Sequence, residues 1–485
     1  MYIGIDIGTS SVKSVLIDDD QKIVASASVA LEVSRPHSGW SEQDPDAWVA
    51  ATFASLDELR AEQPKAMAAV RGIGLSGQMH GATLIDAADK PLRPAILWND
   101  VRSSAECAEI EARCPASRAI AGNIAMPGFT APKLVWVKKH EPEVFAKVAR
   151  VLLPKDYVRL ALTGEYASDM SDAAGTLWLD VAGRRWSDEL LAATDLSRDH
   201  MPGLVEGTEV SGRLKADLAA RFGIEGTPVV AGGGGDNAAS AVGMGTVTPG
   251  AAFASLGTSG VLFVSNDRFS PNTEGAVHAF CHAVPDTWHQ MGVFLSATDS
   301  LNWLSGLLKT PAADLAGRLG DAVAAPSPLV FLPYLSGERT PHNDAAARGA
   351  FVGLGHESGA EAMTQAVLEG VAFAFRDCLR VLSDAGSRVE RAAAIGGGSR
   401  SPVWLQILSN VLGIPLDLPQ DGDFGGAFGA ARLRLIAATG ADYRGGATPP
   451  PVARVIEPDP ALVRAYDDSY ARYRALYPAI KEALK

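Results

Sequence analysis

Cysteine is scarce in this chain. Cys107, Cys114, Cys281 and Cys378 are scattered through 485 residues. Four thiols so dispersed exclude a disulfide framework or a structural zinc site and suit a reducing, cytoplasmic compartment. Basic residues are also in deficit: 43 Lys and Arg stand against 56 Asp and Glu, a formal net charge of −13. A nucleic-acid or anionic-membrane partner is thereby disfavoured, since both reward basic surfaces. A nucleotide is not, because backbone N–H groups, a lysine and a metal ion can outweigh a global negative field locally. No apolar run reaches the roughly 18 residues of a membrane span. No basic segment precedes the first apolar run, which contains Asp6, so no secretory signal is expected.

Two nucleotide motifs fail as well. No G-x-x-x-x-G-K-[S/T] occurs, which excludes a P-loop kinase. Gly72-Ile73-Gly74-Leu75-Ser76-Gly77 fits G-x-G-x-x-G, but its glycines lie within a strand pattern and no helix opens behind them. His278 and His282 are four apart on a strand-like stretch with no third ligand, so they read as structural histidines.

What is present is a soluble, multidomain composition: 47% hydrophobic and 20% charged residues in a chain too long for one ordinary core. Residues 2–7, 11–18 and 22–31 read as three antiparallel strands. Ile3, Ile5 and Ile7 share one face, and Gly4 and Asp6 the other. Asp46 is expected to cap a helix over 47–60. Residues 69–76 and 94–98 read as further strands, and 437–459, rich in Gly and Pro, as a linker. A last helix follows, with Leu462, Tyr466, Tyr470, Tyr473, Tyr477 and Ile480 on one packing face.

The chain also echoes itself. Ser255-Leu256-Gly257-Thr258-Ser259-Gly260 repeats the pattern of Asp6-Ile7-Gly8-Thr9-Ser10-Ser11. Ala394-Ile395-Gly396-Gly397-Gly398 resembles Val230-Ala231-Gly232-Gly233-Gly234. Two copies of one module are expected, with the irregular region 95–180 an insertion in the first.

Within this frame several polar residues stand out. Asp6 interrupts an apolar strand ahead of the small-residue turn Gly8-Thr9-Ser10, whose N–H groups could form an anion nest, and a hard cation suits its oxygens. Asp236 follows four glycines at a helix start. Capping alone would explain an Asp there, but a carboxylate beside a phosphate-attracting helix N-terminus also suits a base for a sugar hydroxyl. Met79 and His80 follow Gln78 at a strand end. Trp98 offers an aromatic face to sugar C–H groups, and Asn99 and Asp100 offer hydrogen bonds to hydroxyls.

These residues carry a resemblance. Gly128-Phe129-Thr130-Ala131-Pro132-Lys133-Leu134-Val135-Trp136-Val137-Lys138-Lys139-His140 fits the first signature of the FGGY carbohydrate kinases, and Gly349-Ala350-Phe351-Val352-Gly353-Leu354 with Glu369 fits the second. Ala362 departs from the acidic or amide residue usual in that second pattern. Gly77-Gln78-Met79-His80-Gly81, Trp98-Asn99-Asp100 and Ser336-Gly337-Glu338-Arg339-Thr340-Pro341-His342 are similar to the bacterial xylulokinase branch of that family.

The resemblance implies an α/β fold of two RNase H-like domains, 1–247 binding sugar and 248–436 binding nucleotide, around an interdomain cleft. Residues 437–485 add the linker and helical tail. It implies ATP-dependent phosphorylation of D-xylulose, with ribulose or ribitol as alternative acceptors. A non-catalytic actin- or chaperone-like ATPase or a sugar sensor is the alternative of a different class. Asp236 is implied as the catalytic base, and Met79, His80, Asn237, Trp98 and Asp100 as sugar contacts. Asp6 would support Mg2+ through water. Gly8, Thr9, Ser10, Lys13, Gly257 and Thr258 would meet the phosphates of ATP, and Gly396, Gly397 and Gly398 would line the adenosine. Oligomeric state stays open, a homodimer included. Four glycines stand before Asp236 where two or three are usual in the family.

Overall fold

The computed structural model describes residues 1–483 apart from 421, 423 and 441. Tyr2–Ile7, Ser11–Ile17 and Ile23–Ala30 form an antiparallel meander. Gly72–Gly77 then pairs parallel to the opening strand, Val229–Ala231 pairs parallel to Gly72–Gly77, and Val210–Arg213 closes the edge. Ile3, Ile5 and Ile7 are fully buried against Trp48, Leu56 and Leu59 of helix Pro45–Glu62. That helix is capped by Asp44, not Asp46: the Asp44 carboxylate accepts from the Asp46 N–H at 3.0 Å. Pro45 has no N–H to satisfy and fits the first helical position, so the cap must precede it.

The second sheet repeats the wiring. Ala252–Leu256, Gly260–Asn266 and Trp288–Phe294 form the meander. Ala392–Ile395 pairs parallel to the first of them, and Leu416–Pro419 parallel to Ala392–Ile395. The duplication is therefore real, and both halves have the RNase H-like order. The glycine correspondence read from the sequence is corrected. Ala392–Ile395 occupies the place of Gly72–Gly77, so the turn 396–398 is the twin of Gln78-Met79-His80, not of 232–234. The twin of Val229–Ala231 is Leu416–Pro419, and the helices after these two strands, Asp236–Gly243 and Gly426–Thr439, pack together. A run of glycines has no side chains to record register, which is why the sequence pattern misaligned them.

Helix Gly426–Thr439 lies on the free face of the first sheet, although the sequence places it with the second half. A Cβ on Gly4 would stand 1.8 Å from the Ala427 carbonyl oxygen, and one on Gly74 1.9 Å from that of Ala430. Gly4 and Gly74 thus admit a helix backbone, and Gly72 admits the Arg434 side chain. Residues 437–459 are more than a linker. They finish that helix, add the turn Tyr443–Gly446, and supply the edge strand Val452–Ile456 of the second sheet. The β-branched Val452, Val455 and Ile456 carried that signal, but the prolines before them masked it.

The tail helix Pro460–Ala483 packs on the second core as expected. Its tyrosines also hydrogen-bond acids of the body, Tyr466 to Glu369 at 3.0 Å and Tyr470 to Asp377 at 2.6 Å. All four cysteines are free, and among the described residues no helix is long and apolar enough to cross a membrane.

Candidate active site

The four glycines before Asp236 contain a bulge. Val229 and Val230 pair with Gly72 and Ile73, and pairing resumes with Gly234 opposite Ser76 and Gly235 opposite Gly77. Ala231, Gly232 and Gly233 therefore oppose only Gly74 and Leu75, one residue too many. Gly233 takes φ +80°, and a Cβ there would lie 2.0 Å from the Leu75 oxygen. The bulge is pinned from both sides. Arg159, fully buried, donates to the carbonyls of Ala231 at 2.7 Å and Gly232 at 2.6 Å. The Gly235 N–H donates to Ser171 Oγ at 3.0 Å.

The extra residue is absorbed before the strand ends, so helix Asp236–Gly243 starts directly from the sheet. Asp236 is the first residue of that helix, and Gly235 is its cap. Its Oδ1 accepts from the Asn237 N–H at 2.7 Å and the Asn237 side-chain amide at 2.9 Å. Burial, then the charge of Asp6, pushes its carboxyl up to about 7, against the pull of the Asn237 bonds.

Asp6 accepts from Ser76 Oγ at 2.9 Å and sits beneath the start of helix Gly426–Thr439, where a Cβ on Gly426 would be 2.9 Å from it. Lys13 is its cross-strand partner in register. Thr9, expected near phosphates, is bonded toward the sugar side. Its hydroxyl donates to Gln78 Oε1 at 3.0 Å and accepts from Trp98 Nε1 at 3.1 Å. Gln43 ties the same turn down, donating to the Thr9 carbonyl at 2.7 Å. Gln78, Gln43 and Trp98 therefore couple the expected phosphate turn to the expected sugar wall. Trp98 keeps 46% of its surface exposed and is free to meet a ligand.

His80 has φ +70° in a tight strand-end turn. Thr130 Oγ1 and Lys133 Nζ both donate to its carbonyl, at 3.1 and 2.9 Å, and Lys133 also donates to the Gly128 carbonyl at 2.8 Å. Thr130 and Lys133 sit in the signature stretch, but nothing local to them signals that they hold this turn. The His80 ring bonds the Gly175 carbonyl through Nδ1 at 2.5 Å. A carbonyl only accepts, so Nδ1 carries the proton and Nε2 is left as an acceptor. Burial holds the ring neutral, its pKa lowered to about 3. Met79 packs on the backbone of Gly235, next to Asp236. Asp100 differs from the rest: it is buried to 1%, and Ser41 N–H and the Arg102 guanidinium engage both its oxygens. It braces the Trp98 loop.

In the second half, the turns 257–259 and 396–398 meet. Gly396 has φ +89° and lies against the Leu256 carbonyl, and Thr298 donates from N–H and Oγ1 to the Gly257 carbonyl. Two cavities flank Gly397. One, about 560 Å³, is largely apolar, lined by Leu301, Ala316, Pro402 and Gly398 with Thr298 and Asn302. The other, about 790 Å³, is walled from both halves, by Ser240 and Met244 and by Gly396 and Arg400. Thr298, Leu301, Asn302 and Pro402 gave no motif in the sequence. His278 and His282 bond Asn123 and the Thr246 carbonyl, and no group of three or more potential side-chain metal ligands occurs among the described residues.

Comparison with known proteins bears on this geometry. Residues 1–243 match the profile of the FGGY family of carbohydrate kinases, N-terminal domain, and residues 252–438 that of its C-terminal domain. The chain is 50% identical over 481 residues to the xylulose kinase of Escherichia coli (strain K12), covering 98% of each protein. A crystal structure of a xylulose kinase ("xyloylose kinase") from Brucella ovis superposes with a TM-score of 0.98 at 60% identity over 100% of both chains. One of xylulose kinase from Rhodospirillum rubrum superposes at 0.93 with 32% identity over 99% of both.

Proposed function

The chain belongs to the FGGY family of carbohydrate kinases, and from that premise we propose that it transfers the γ-phosphoryl group of ATP to the 5-hydroxyl of D-xylulose. The products are D-xylulose 5-phosphate and ADP. The observation that carries this reading is the placement of Asp236. Its carboxylate stands at a helix N-terminus, beside Asp6, one residue from the glycine on which Met79 packs.

Met79 and the neutral His80 ring hold the sugar, with Nε2 accepting from a hydroxyl, and Asn237 and Trp98 complete the wall. Asp236 then accepts the proton of the 5-hydroxyl as that oxygen attacks the γ-phosphorus and ADP leaves. Phosphoryl transfer passes through a loose transition state, so the base acts late and mainly positions the nucleophile. An ordinary carboxylate suffices, and burial beside Asp6 makes Asp236 a better proton acceptor than that.

The small-residue turns Gly8-Thr9-Ser10 and Gly257-Thr258 suit the phosphates, with Lys13 as a nearby cation. The apolar cavity beside Gly397 and Gly398 suits adenosine, with Asn302 as its polar contact. Mg2+ fits the donor set: Asp6 and Asp236 bring hard carboxylate oxygens close together, as suits an ion that keeps waters and binds through one or two carboxylates and substrate phosphates. Asp6 would hold it, directly or through water, and when bound it neutralises charge on the transferring phosphates. The two halves, 1–247 and 248–436, close over the substrates to exclude water, and a weak ATP hydrolysis without sugar is the expected leak. Free thiols and the need for ATP support a cytoplasmic setting.

A coupled assay of ADP release against D-xylulose, D-ribulose, ribitol and glycerol tests the reading. Highest kcat/KM for D-xylulose is expected. Good ribulose turnover with none on xylulose would overturn the substrate assignment while leaving the kinase.

A further inference from the structure

Arg339 takes no part in the chemistry above, yet its loop is built to hold it in one place. On one side Glu338, a buried carboxylate, accepts the N–H groups of Arg339 at 2.7 Å and Leu295 at 3.1 Å. On the other, Thr340 exchanges bonds with Val293 and donates to the Ala276 carbonyl at 2.9 Å. Both flanks are thus pinned to the end of strand Trp288–Phe294 and its neighbour.

The guanidinium itself is underused. Among the described residues its one side-chain hydrogen bond runs from an NH group to His278 Nε2 at 3.3 Å. The direction of that bond is set from behind. Asn123 spends its amide N–H groups on the carbonyls of Ala121 and Ala279, so its oxygen accepts from His278 Nδ1 at 3.1 Å. His278 is then left with Nε2 as the acceptor that orients Arg339. Arg339 forms no ion pair among the described residues. Arg339 is half-buried, and its remaining N–H donors can meet a partner that supplies acceptors.

The rings show where such a partner sits. His278 stacks on Phe280 at 5.5 Å, both meet Phe129 edge-on, and Phe129 meets His80 at 4.8 Å. Phe280 also faces the His80 ring at 6.3 Å. Arg339 therefore approaches from the second half the same ring cluster against which the first half sets His80. Met79 lies on Gly235 beside Asp236 and meets Gly175 together with the His80 ring, so this ring cluster and the base border one site.

We propose that Arg339 contacts the sugar and determines its specificity, donating to the C2 ketone oxygen at the end of the molecule that is not phosphorylated. This rests on the xylulose-kinase reading above. A guanidinium only donates and a ketone oxygen only accepts, so the two are complementary, whereas a hydroxyl that accepts the same bond must also place its own proton. The neutral His80 Nε2 only accepts and suits a hydroxyl. Arg339 and His80 together distinguish a 2-ketose from the alditol in which that oxygen has become a hydroxyl, since a hydroxyl can rotate to other partners.

The test compares the wild type with Arg339→Met and Arg339→Lys, using D-xylulose as substrate and xylitol as competitor. Arg339→Met is expected to lower kcat/KM for D-xylulose by roughly ten- to a hundredfold, as for loss of a hydrogen bond to a charged donor. The loss should appear mostly in KM. The inhibition constant for xylitol should move less than about threefold, with a melting curve like the wild type's. Arg339→Lys keeps the charge and stem without the fork, and should show the same split at smaller size, which covers a Met variant that fails to fold. Unchanged xylulose kinetics in the folded variants, or equal losses for xylulose and xylitol, overturn the assignment. A wild-type enzyme inert toward D-xylulose but active on another sugar refutes the functional reading instead, and the ketone contact with it.

Discussion

Lys133 Nζ donates at 2.9 Å to the main-chain carbonyl of His80 from a position with no solvent exposure. Burial holds its ammonium pKa well below the usual lysine range, against the opposing pull of Asp100. The residue is thus spent on fixing one left-handed turn. Lys133→Met fills the same volume but leaves the Gly128 carbonyl unmet and the His80 carbonyl held by Thr130 alone. KM for the sugar is expected to rise about tenfold, the equivalent of about 1.4 kcal/mol, with KM for ATP unchanged. Steady-state kinetics with each substrate varied separates the two. An equal rise in both would mean that Lys133 supports the whole domain and not the sugar turn.

The coupling of Asp6 to Asp236 gives a pH signature. With its carboxyl raised to about 7, Asp236 in the nucleotide-free protein takes up its proton near neutrality. Asp6→Asn removes the repelling charge and should move that titration to lower pH, as read from the carboxyl carbon resonance absent in Asp236→Asn. The stability consequence has a definite sign. A carboxyl with a raised folded pKa binds more protons folded than unfolded, so stability is lost as pH rises from about 4 to about 7. Asp236→Asn cannot titrate and avoids that loss. Its thermal midpoint should exceed the wild type's at pH 8, by the equivalent of about 1–2 kcal/mol once solvent at this partly exposed group is allowed for, and converge with it near pH 4.

The bulge separates two glycines that look alike in sequence. Gly233→Ala places a methyl 2.0 Å from the Leu75 backbone oxygen at a φ of +80°, and neither can yield. Loss of more than about 2 kcal/mol of stability, with loss of activity, is expected in a denaturant titration. Gly235→Ala meets only the flexible Met79 side chain, at 2.9 Å from its Cγ. That variant should fold with nearly wild-type stability and show its defect in sugar KM. Equal destabilisation of both would deny the bulge its role.

Much of this site was legible because its residues are anomalous for their surroundings. An Asp inside an apolar strand and an Asp after a glycine run each needed a reason, and the duplicated turn at Gly8 and Gly257 located both sheets. What was not legible depended on contacts between distant segments. Nothing local marks Ser171 as the acceptor for Gly235 N–H, or Arg159 as the clamp on the bulge. The Gly4 and Gly74 positions show their purpose only once helix Gly426–Thr439 lies across them. Asp100 looked like a sugar ligand because Asp beside Trp suits hydroxyls, yet Arg102, two residues on, takes its charge. Glycine runs mark a turn but not which turn, so their pattern alone pairs 396–398 with the wrong twin.

The central claim is that the Asp236 carboxylate is the base for the sugar hydroxyl. Asp236→Asn keeps the shape and the bond to the Asn237 N–H while removing the proton acceptor. Its kcat for ATP-dependent phosphorylation of D-xylulose, measured beside the calorimetric affinity for the sugar, tests the claim most directly. A fall of about 10²–10⁴-fold in kcat, with sugar affinity within a few fold of the wild type, is the predicted result. Turnover near the wild-type rate would contradict it.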